Sequence, residues 1–331
     1  MTTATIRARS NIALVKYWGK ADAQINTPAV GSLSITLDGL WTDTTVSFDE
    51  SAESDTLVLD GESRSTELRR VSDCLDLLRS HAGVSLRAAV RSENNFPTAA
   101  GLASSASGFA ALVTAAAQAL GLELSERELS VYARRGSGSA ARSIFGGFVY
   151  MHRGSSPDGA DSFAEPLLAA EAFPLQVIVA VTAQGRKSVS SGAGMTLSAA
   201  TSAYYRDWVS SHEADMAAAR QAVLGRDFEA LADVSERSCL KMHAAAMTTN
   251  PPLLYWNGAT VDCIHAIREL RAEGVPVFFT IDAGPQVKAV CLPEASTTVE
   301  RRLRDISGVA DLLKTGLGPG VERLSVPVEA R

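Results

Sequence analysis

Four separated segments of this chain carry the residues best able to do chemistry. Between Pro97 and Gly108 the sequence reads PTAAGLASSASG. A phosphate group needs several backbone N–H donors converging from a turn without bulky side chains, and a helix N-terminus adds the positive end of its dipole. Gly101, Ser104, Ser105 and Ser107 supply that arrangement, so the segment is a candidate loop for ATP phosphates. An ordinary serine-capped alanine helix satisfies the same pattern. The Walker sequence G-x-x-x-x-G-K-[ST] is absent, and no lysine lies within the loop. The second segment, Asn11 to Lys20, reads NIALVKYWGK. Its two lysines and Tyr17 can present cations and a hydroxyl to a polyanion, or simply lie along a strand edge with their heads in water. The third, Arg135 to Arg142, reads RGSGSAAR; small residues admit close backbone approach, and Arg142 can grip a carboxylate through two parallel hydrogen bonds. A flexible surface loop reads the same way. The fourth is Asp282, which follows an apolar run and precedes Ala-Gly-Pro. Such a turn leaves the carboxylate at a strand end facing a cleft, or serves only as a turn former.

The elements that must position these residues are legible from periodicity. Strand patterns cover Thr5 to Arg9, Ser32 to Leu37, Thr44 to Phe48 and Thr56 to Leu59, the last ending in an Asp60-Gly61 turn. Leu68, Val71, Leu75 and Leu78 recur at helical spacing, and Leu86 to Val90 returns to strand character. Alanine dominates from Ser104 to Leu120, which suits a buried helix beginning where the phosphate loop ends. Beyond the glycine- and serine-rich stretch Gly136 to Gly147, strands are expected at Phe148 to Met151, Leu175 to Val181 and Val275 to Ile281. Helices are expected through Ser198 to Ala245 and Ala259 to Glu273. Gly, Ser, Pro and Asp concentrate between His152 and Pro174, so the chain divides into an N-terminal lobe, 1–165, and a C-terminal lobe, 166–331. Without strict βαβ alternation the class is α+β.

Composition removes several function classes. A length of 331 residues with 46% hydrophobic residues builds a substantial core. A formal net charge of -6 leaves no basic stripe for duplex binding, so nucleic acid is not expected as a partner. The four cysteines lack paired metal or redox spacing and read as buried thiols of a reducing cytoplasm. No apolar run reaches membrane-spanning length, and no export signal follows MTTATIRARS. His243, Trp208 and Trp256 are expected to pack and satisfy local hydrogen bonds rather than to catalyse or stack a base.

Taken in order, the Asn11–Lys20 segment, PTAAGLASSASG, RRGSGSAARSIFGGF, Ser190-Ser191 with Gly194-Met195, Met242-His243-Ala244, Pro251-Pro252 and FTIDAGP closely resemble the diphosphomevalonate decarboxylases. That family falls in the wider group of galactokinase, homoserine kinase, mevalonate kinase and phosphomevalonate kinase. The resemblance spans nearly the whole chain. It implies a two-lobed fold, with an N-terminal lobe like domain 2 of ribosomal protein S5, a ferredoxin-like C-terminal lobe and the active site between them. It implies ATP and Mg2+ as cofactors, a homodimer, a cytoplasmic setting and a place in the mevalonate pathway of isoprenoid biosynthesis. The implied reaction phosphorylates the tertiary 3-hydroxyl of mevalonate 5-diphosphate, then expels phosphate and CO2 to leave isopentenyl diphosphate.

The resemblance also assigns roles. Asp282 would orient the hydroxyl or take its proton, with Lys16 near it and the transferred phosphoryl group. Arg142 would hold the substrate carboxylate, with Asn11 as a second contact. Tyr17, Lys20, Ser137, Gly138 and Ser139 would hold the 5-diphosphate, Ser191 would position the γ-phosphate or substrate, and Met195 would line the same pocket. Asn94, Pro97, Gly101, Ala103, Ser104, Ser105 and Ser107 would bind ATP, with Ser105 on the magnesium. Two positions depart from the family pattern: Gly192, where relatives carry Arg or Thr, and Val30-Gly31, where they carry a polar residue. Both bear on whether the substrate is the 5-diphosphate or mevalonate 5-phosphate, and retention of Tyr17, Lys20 and the RGSGSAAR block favours the diphosphate. A simple kinase of the same group, or a catalytically silent member, is disfavoured by Arg142 and Asp282 in their motifs.

Overall fold

The computed structural model describes residues 2–96, 104–183, 185 and 189–325. The first lobe is built from β1 (Thr2–Val15), β2 (Lys20–Asp22), β3 (Thr27–Pro28), β4 (Ser32–Asp49), β5 (Thr56–Leu59), β6 (Glu62–Ser63), α1 (Ser65–Ala82), β7 (Arg87–Asn94), α2 (Ser104–Ala119), α3 (Glu126–Gly136), a 3-10 turn (Ala140–Ile144), β8 (Phe148–Met151) and β9 (Ala164–Leu168). The second contains β10 (Gln176–Val181), α4 (Ser191–Thr201), α5 (Tyr205–Gly225), α6 (Phe228–Met247), α7 (Gly258–Ala272), β11 (Val277–Ile281), β12 (Val287–Cys291), α8 (Ser296–Arg304) and β13 (Asp311–Gly316). A last strand, β14 (Glu322–Leu324), returns to the first lobe and pairs antiparallel with β1.

The two strands expected at Ser32–Leu37 and Thr44–Phe48 form one, β4. Its first residues pair with β8 and its last with β7, while β1 runs along its other edge with irregular register near Arg9 and Asn11. The Asp38-Gly39 pair that looks like a break is where the chain changes partner. Gly39 donates its N–H to Thr315 Oγ1 at 2.7 Å, and a Cβ there would lie 3.0 Å from the same oxygen. The single helical stretch expected over 198–245 is instead α4, α5 and α6. Its second break comes at Arg226, held at φ 55°, followed by Asp227, whose side chain caps α6 at the Ala230 N–H.

The second sheet has the order β11-β12-β10-β13, all antiparallel, which with the intervening helices is the ferredoxin-like arrangement. Alternation divides its two faces. Val177, Val179, Phe278 and Val290 pack against Leu14, Leu33, Ile35 and Phe148 of the first lobe, whereas Ile178, Phe279, Val287 and Ala289 pack against α7 and α8 through Ile264, Ile267, Val299 and Leu303. One hydrophobic core therefore spans both lobes. All four cysteines are buried and free. Among the described residues no helix is long and apolar enough to cross a membrane.

Candidate active site

A cleft of about 840 Å³ lies between the lobes, and separate elements deliver its lining. The end of β1 supplies Lys16, Tyr17 and Trp18, β2 supplies Lys20, and the start of α2 supplies Ser104 and Ser105. The junction from α3 to the 3-10 turn gives Ser137, Gly138, Ser139 and Arg142. The N-terminus of α4 gives Ser190, Ser191 and Gly192, and the turn after β11 gives Asp282.

Asp282 is the electrostatic focus. Lys16 Nζ donates to its Oδ1 at 2.7 Å and Lys288 Nζ lies 3.1 Å from its Oδ2. The lysine side chains are 1% and 2% exposed and the carboxylate 30%, so the acid is the most open of the three; Lys16 lines the cleft beside it and Lys288 lies behind. Burial by itself would raise the carboxyl's pKa, but the two ammonium groups outweigh it and hold Asp282 well below the usual carboxylate range. Arg142 is buried, its Nε donating to Asn11 Oδ1 at 3.2 Å and its Nη1 to Ser32 Oγ at 2.7 Å. Asn11 in turn donates to the Ser139 carbonyl and to Ser143 Oγ. The guanidinium is thus braced from behind, and its Nη2 has no partner among the described residues. Burial lowers its pKa to about 10, partly offset by Asp282 and Tyr17, which leaves it charged at neutral pH.

Tyr17 carries a second unfilled group. Its hydroxyl is buried without a hydrogen-bond partner among the described residues, and burial pushes its pKa up to about 12. A Cβ on Gly138 would sit 2.5 Å from that oxygen, so only glycine fits against the ring. Gly138→Ala should displace Tyr17 and lower kcat/KM for the phosphorylated substrate by about tenfold to a hundredfold, while the KM for ATP stays near the parent value. Steady-state kinetics with each substrate varied checks this, and an unchanged kcat/KM would separate Tyr17 from substrate binding.

Lys20 is half-buried, and its pKa is lowered by burial and by Arg70 across the cleft. Arg70, from α1, donates to the Gly136 carbonyl and lies over the Phe109 ring. Arg70, Arg135 and Lys20 make this end of the cleft cationic. Toward α1, Leu57, Leu59, Val71, Val90, Phe109 and Leu112 form an apolar wall.

Of the residues singled out from sequence, Asn11, Lys16, Tyr17, Lys20, Asn94, Ser104, Ser105, Ser137, Gly138, Ser139, Arg142, Ser191, Met195 and Asp282 all line this one cleft. Ser107 does not. It is fully buried on the inner side of α2, where its hydroxyl lies 2.6 Å from Thr42 Oγ1 and 3.4 Å from Ser10 Oγ. Three hydroxyls tie α2 to β1 and β4 there, so the Ser107 side chain faces the core and any part it has in holding ATP falls to its backbone. Pro97, Gly101 and Ala103 lie outside the described residues. The two departures separate as well. Gly192 lines the cleft with open space at its Cβ position, whereas Gly31 is a packing glycine. A Cβ on Gly31 would lie 3.0 Å from the Met151 carbonyl, and His212 Nε2 donates to the Gly31 carbonyl at 2.9 Å. His243 donates to the Ile281 carbonyl at 3.2 Å, and burial depresses its pKa to about 3, so it stays neutral; Trp208 is buried and Trp256 packs over His243.

The sequence reading missed Arg70, the apolar wall and Lys288. Arg70 sits on an amphipathic helix, where a surface charge is the default. Lys288 left a clear signal, a lone lysine in the otherwise apolar strand VKAVC, every residue of which is buried. Among the described residues no group of three or more His, Cys, Asp or Glu is placed to hold a metal.

The α+β lobes, with a ferredoxin-like second sheet and a phosphate-suited helix N-terminus facing a cationic cleft, define the two-lobed small-molecule kinase superfamily fold. Residues 8–164 match the diphosphomevalonate decarboxylase-like N-terminal domain, and residues 177–313 the mevalonate 5-diphosphate decarboxylase C-terminal domain. The diphosphomevalonate decarboxylase of Candida albicans is 35% identical, over 98% of this chain and 99% of its own. Mevalonate diphosphate decarboxylase from Staphylococcus aureus superposes with a TM-score of 0.93 at 38% identity, covering 98% of each chain. The complex of MDDEF with MVAPP, AMPPCP and magnesium superposes with a TM-score of 0.91 at 39% identity, covering 98% of this chain and 99% of that one. The chain belongs to the diphosphomevalonate decarboxylase family.

Proposed function

We propose that the cleft carries out ATP-dependent decarboxylation of mevalonate 5-diphosphate, giving isopentenyl diphosphate, ADP, phosphate and CO2. The observation that carries the reading is the placing of Asp282, Lys16 and Arg142 around one reacting position, with Tyr17 and Lys20 on the cationic side and the α2 N-terminus beside them. The apolar wall of Leu57, Leu59 and Val90 suits an adenine ring, and Ser104 and Ser105 at the start of α2 suit its phosphates. Magnesium, present with the ATP analogue in the MDDEF complex, is a hard cation that takes oxygen ligands, and the Ser105 hydroxyl is a fitting donor beside phosphate oxygens. When bound it neutralises phosphate charge.

A strongly acidic Asp282 is a weak proton acceptor, so its first task is to orient the tertiary hydroxyl. That suffices for a loose phosphoryl-transfer transition state, in which the nucleophile keeps its proton until late and then, made strongly acidic by the new O–P bond, passes it to the Asp282 carboxylate. Lys16, hydrogen-bonded to Asp282, is placed to meet the transferred phosphoryl oxygens. When phosphate leaves, positive charge grows at the tertiary carbon. The electron pair of the bond to the carboxylate becomes the alkene bond as CO2 departs. Arg142 holds that carboxylate through its open Nη2 so the breaking bonds stay aligned. Tyr17, Lys20, Ser137, Gly138 and Ser139 anchor the diphosphate, and Ser191 and Met195 close the wall beside the γ-phosphate. The homodimer and the cytoplasmic setting belong to this reading.

The open space at Gly192 favours one second reading, a substrate with a single 5-phosphate. An ATP-dependent assay offering mevalonate, its 5-phosphate and its 5-diphosphate side by side separates the two. ADP, phosphate and CO2 in equal amounts from the diphosphate alone are expected; the same products from the monophosphate would transfer the assignment, and ADP without CO2 would make the protein a kinase.

A further inference from the structure

Among the described residues the carboxylate of Asp282 has two ammonium partners, and of these Lys16 has work in the mechanism above. Lys288 occupies the centre of the second sheet, facing Val179 on β10 and Thr280 on β11 across the ladder. Its neighbours Val287, Ala289, Val290 and Cys291 are all fully buried hydrophobics. A lysine on such a surface loses its hydration, and an apolar residue of similar volume would be cheaper for folding alone. The side chain recovers part of that loss through the Asp282 carboxylate at 3.1 Å and the Gln286 carbonyl at 3.4 Å. The carboxylate is thereby gripped at both oxygens, Oδ1 by Lys16 and Oδ2 by Lys288.

We propose that Lys288 is a positioning residue of the reaction, holding Asp282 in place and ionised while Lys16 turns its hydrogen bond to the transferred phosphoryl group. The inference rests on the decarboxylase reading for its role in turnover. With Lys16 alone the acid would lose its only ammonium partner at the moment the phosphoryl group claims it. With two, one stays. The pair also leaves the site with surplus positive charge: two ammonium groups and the Arg142 guanidinium against one carboxylate. That suits a centre where a polyanion must arrive.

Among the described residues the groups facing Asp282 are Lys16 just after β1, Lys288 from β12, Arg142 from the 3-10 turn, and His243 and Cys239 from α6. Burial holds His243 down to about 3 and Cys239 up to about 11, so neither changes charge between about pH 5 and 9. Loss of activity on the acid side in a Lys288 variant therefore reports on Asp282.

The test compares Lys288→Met and Lys288→Arg with the parent by two readouts. The first is the 13C titration of the Asp282 carboxyl in ligand-free protein labelled at aspartate and assigned with Asp282→Asn. In the parent the carboxyl is expected to stay ionised to the lowest pH at which the protein remains folded. In Lys288→Met its titration should move up by about one to three pH units, and in Lys288→Arg it should stay near the parent position. The second is the pH profile of kcat with the KM for ATP. Lys288→Met should lower kcat about tenfold or more and move the acid limb upward with little change in KM, and Lys288→Arg should restore most of both. An Asp282 titration and acid limb unchanged in Lys288→Met would overturn the proposal, even if kcat fell equally at every pH. Should methionine prevent folding, Lys288→Gln read the same two ways decides. The carboxyl titration needs no turnover, so absence of CO2 from the parent enzyme would sink the decarboxylase reading and leave the positioning of Asp282 to be judged separately.

Discussion

Asp282→Ala should lower kcat by about a hundredfold to ten-thousandfold, the range associated with losing a positioned acid–base group, while ATP binds within about twofold of its parent affinity. The separation follows from the geometry. Asp282 comes from the end of β11 in the second lobe, whereas the serines suited to ATP phosphates begin α2 in the first. Removing the carboxylate also leaves Lys16 and Lys288 buried with no counter-charge between them. Asp282→Asn, which keeps the volume, should therefore accompany the alanine variant; both should melt below the parent, and the kinetics are read at temperatures where each variant is folded. Single-turnover kinetics and calorimetric titration of ATP measure the two halves of the expectation. Turnover close to the parent value in a folded variant would remove Asp282 from the reaction.

Arg142→Lys is the second large effect. A lysine keeps the charge but cannot brace itself on Asn11 and Ser32 and still offer a donor to a carboxylate, because it lacks the planar fork. One charge-assisted hydrogen bond lost at the reacting centre amounts to about 1.5–3 kcal/mol, or roughly a tenfold to hundredfold fall in kcat/KM. The loss should fall mainly on kcat, since the substrate keeps its phosphate contacts. In the parent, ADP and CO2 should appear in equal amounts; in the variant, an excess of ADP over CO2 would show that phosphoryl transfer survives while carboxylate alignment fails. A variant with nearly normal kcat/KM would move the carboxylate-holding role to another residue.

Much of this site was legible before any coordinates. Tyr17, Lys20, Arg142 and Asp282 are unusual residues in small-residue or turn contexts, and their chemistry shows in their types. The α+β class and most strand and helix centres followed from period alone. Readings failed where a contact distant in sequence decides the local structure. Ser107 looks like its neighbours Ser104 and Ser105, yet helical rotation turns it toward Thr42 and Ser10. The gap left between the strands expected at Ser32–Leu37 and Thr44–Phe48 is continuous strand, paired along β1 and held at Gly39 by Thr315, far along the chain. Lys288 was visible as an exception within VKAVC, but its meaning depends on Asp282 lying across the sheet.

The return of β14 to the first sheet has a consequence for catalysis. The backbone passes between the lobes twice, once before β10 and again after β13, and a hydrophobic core fills the space between the crossings. The filled gap between the crossings opposes rotation of one lobe against the other, because a close-packed core resists deformation. The 2.7 Å contact of Lys16 with Asp282 joins the first lobe to the second. A charged centre braced from both lobes over a shared core needs little reorganisation when the phosphoryl group arrives.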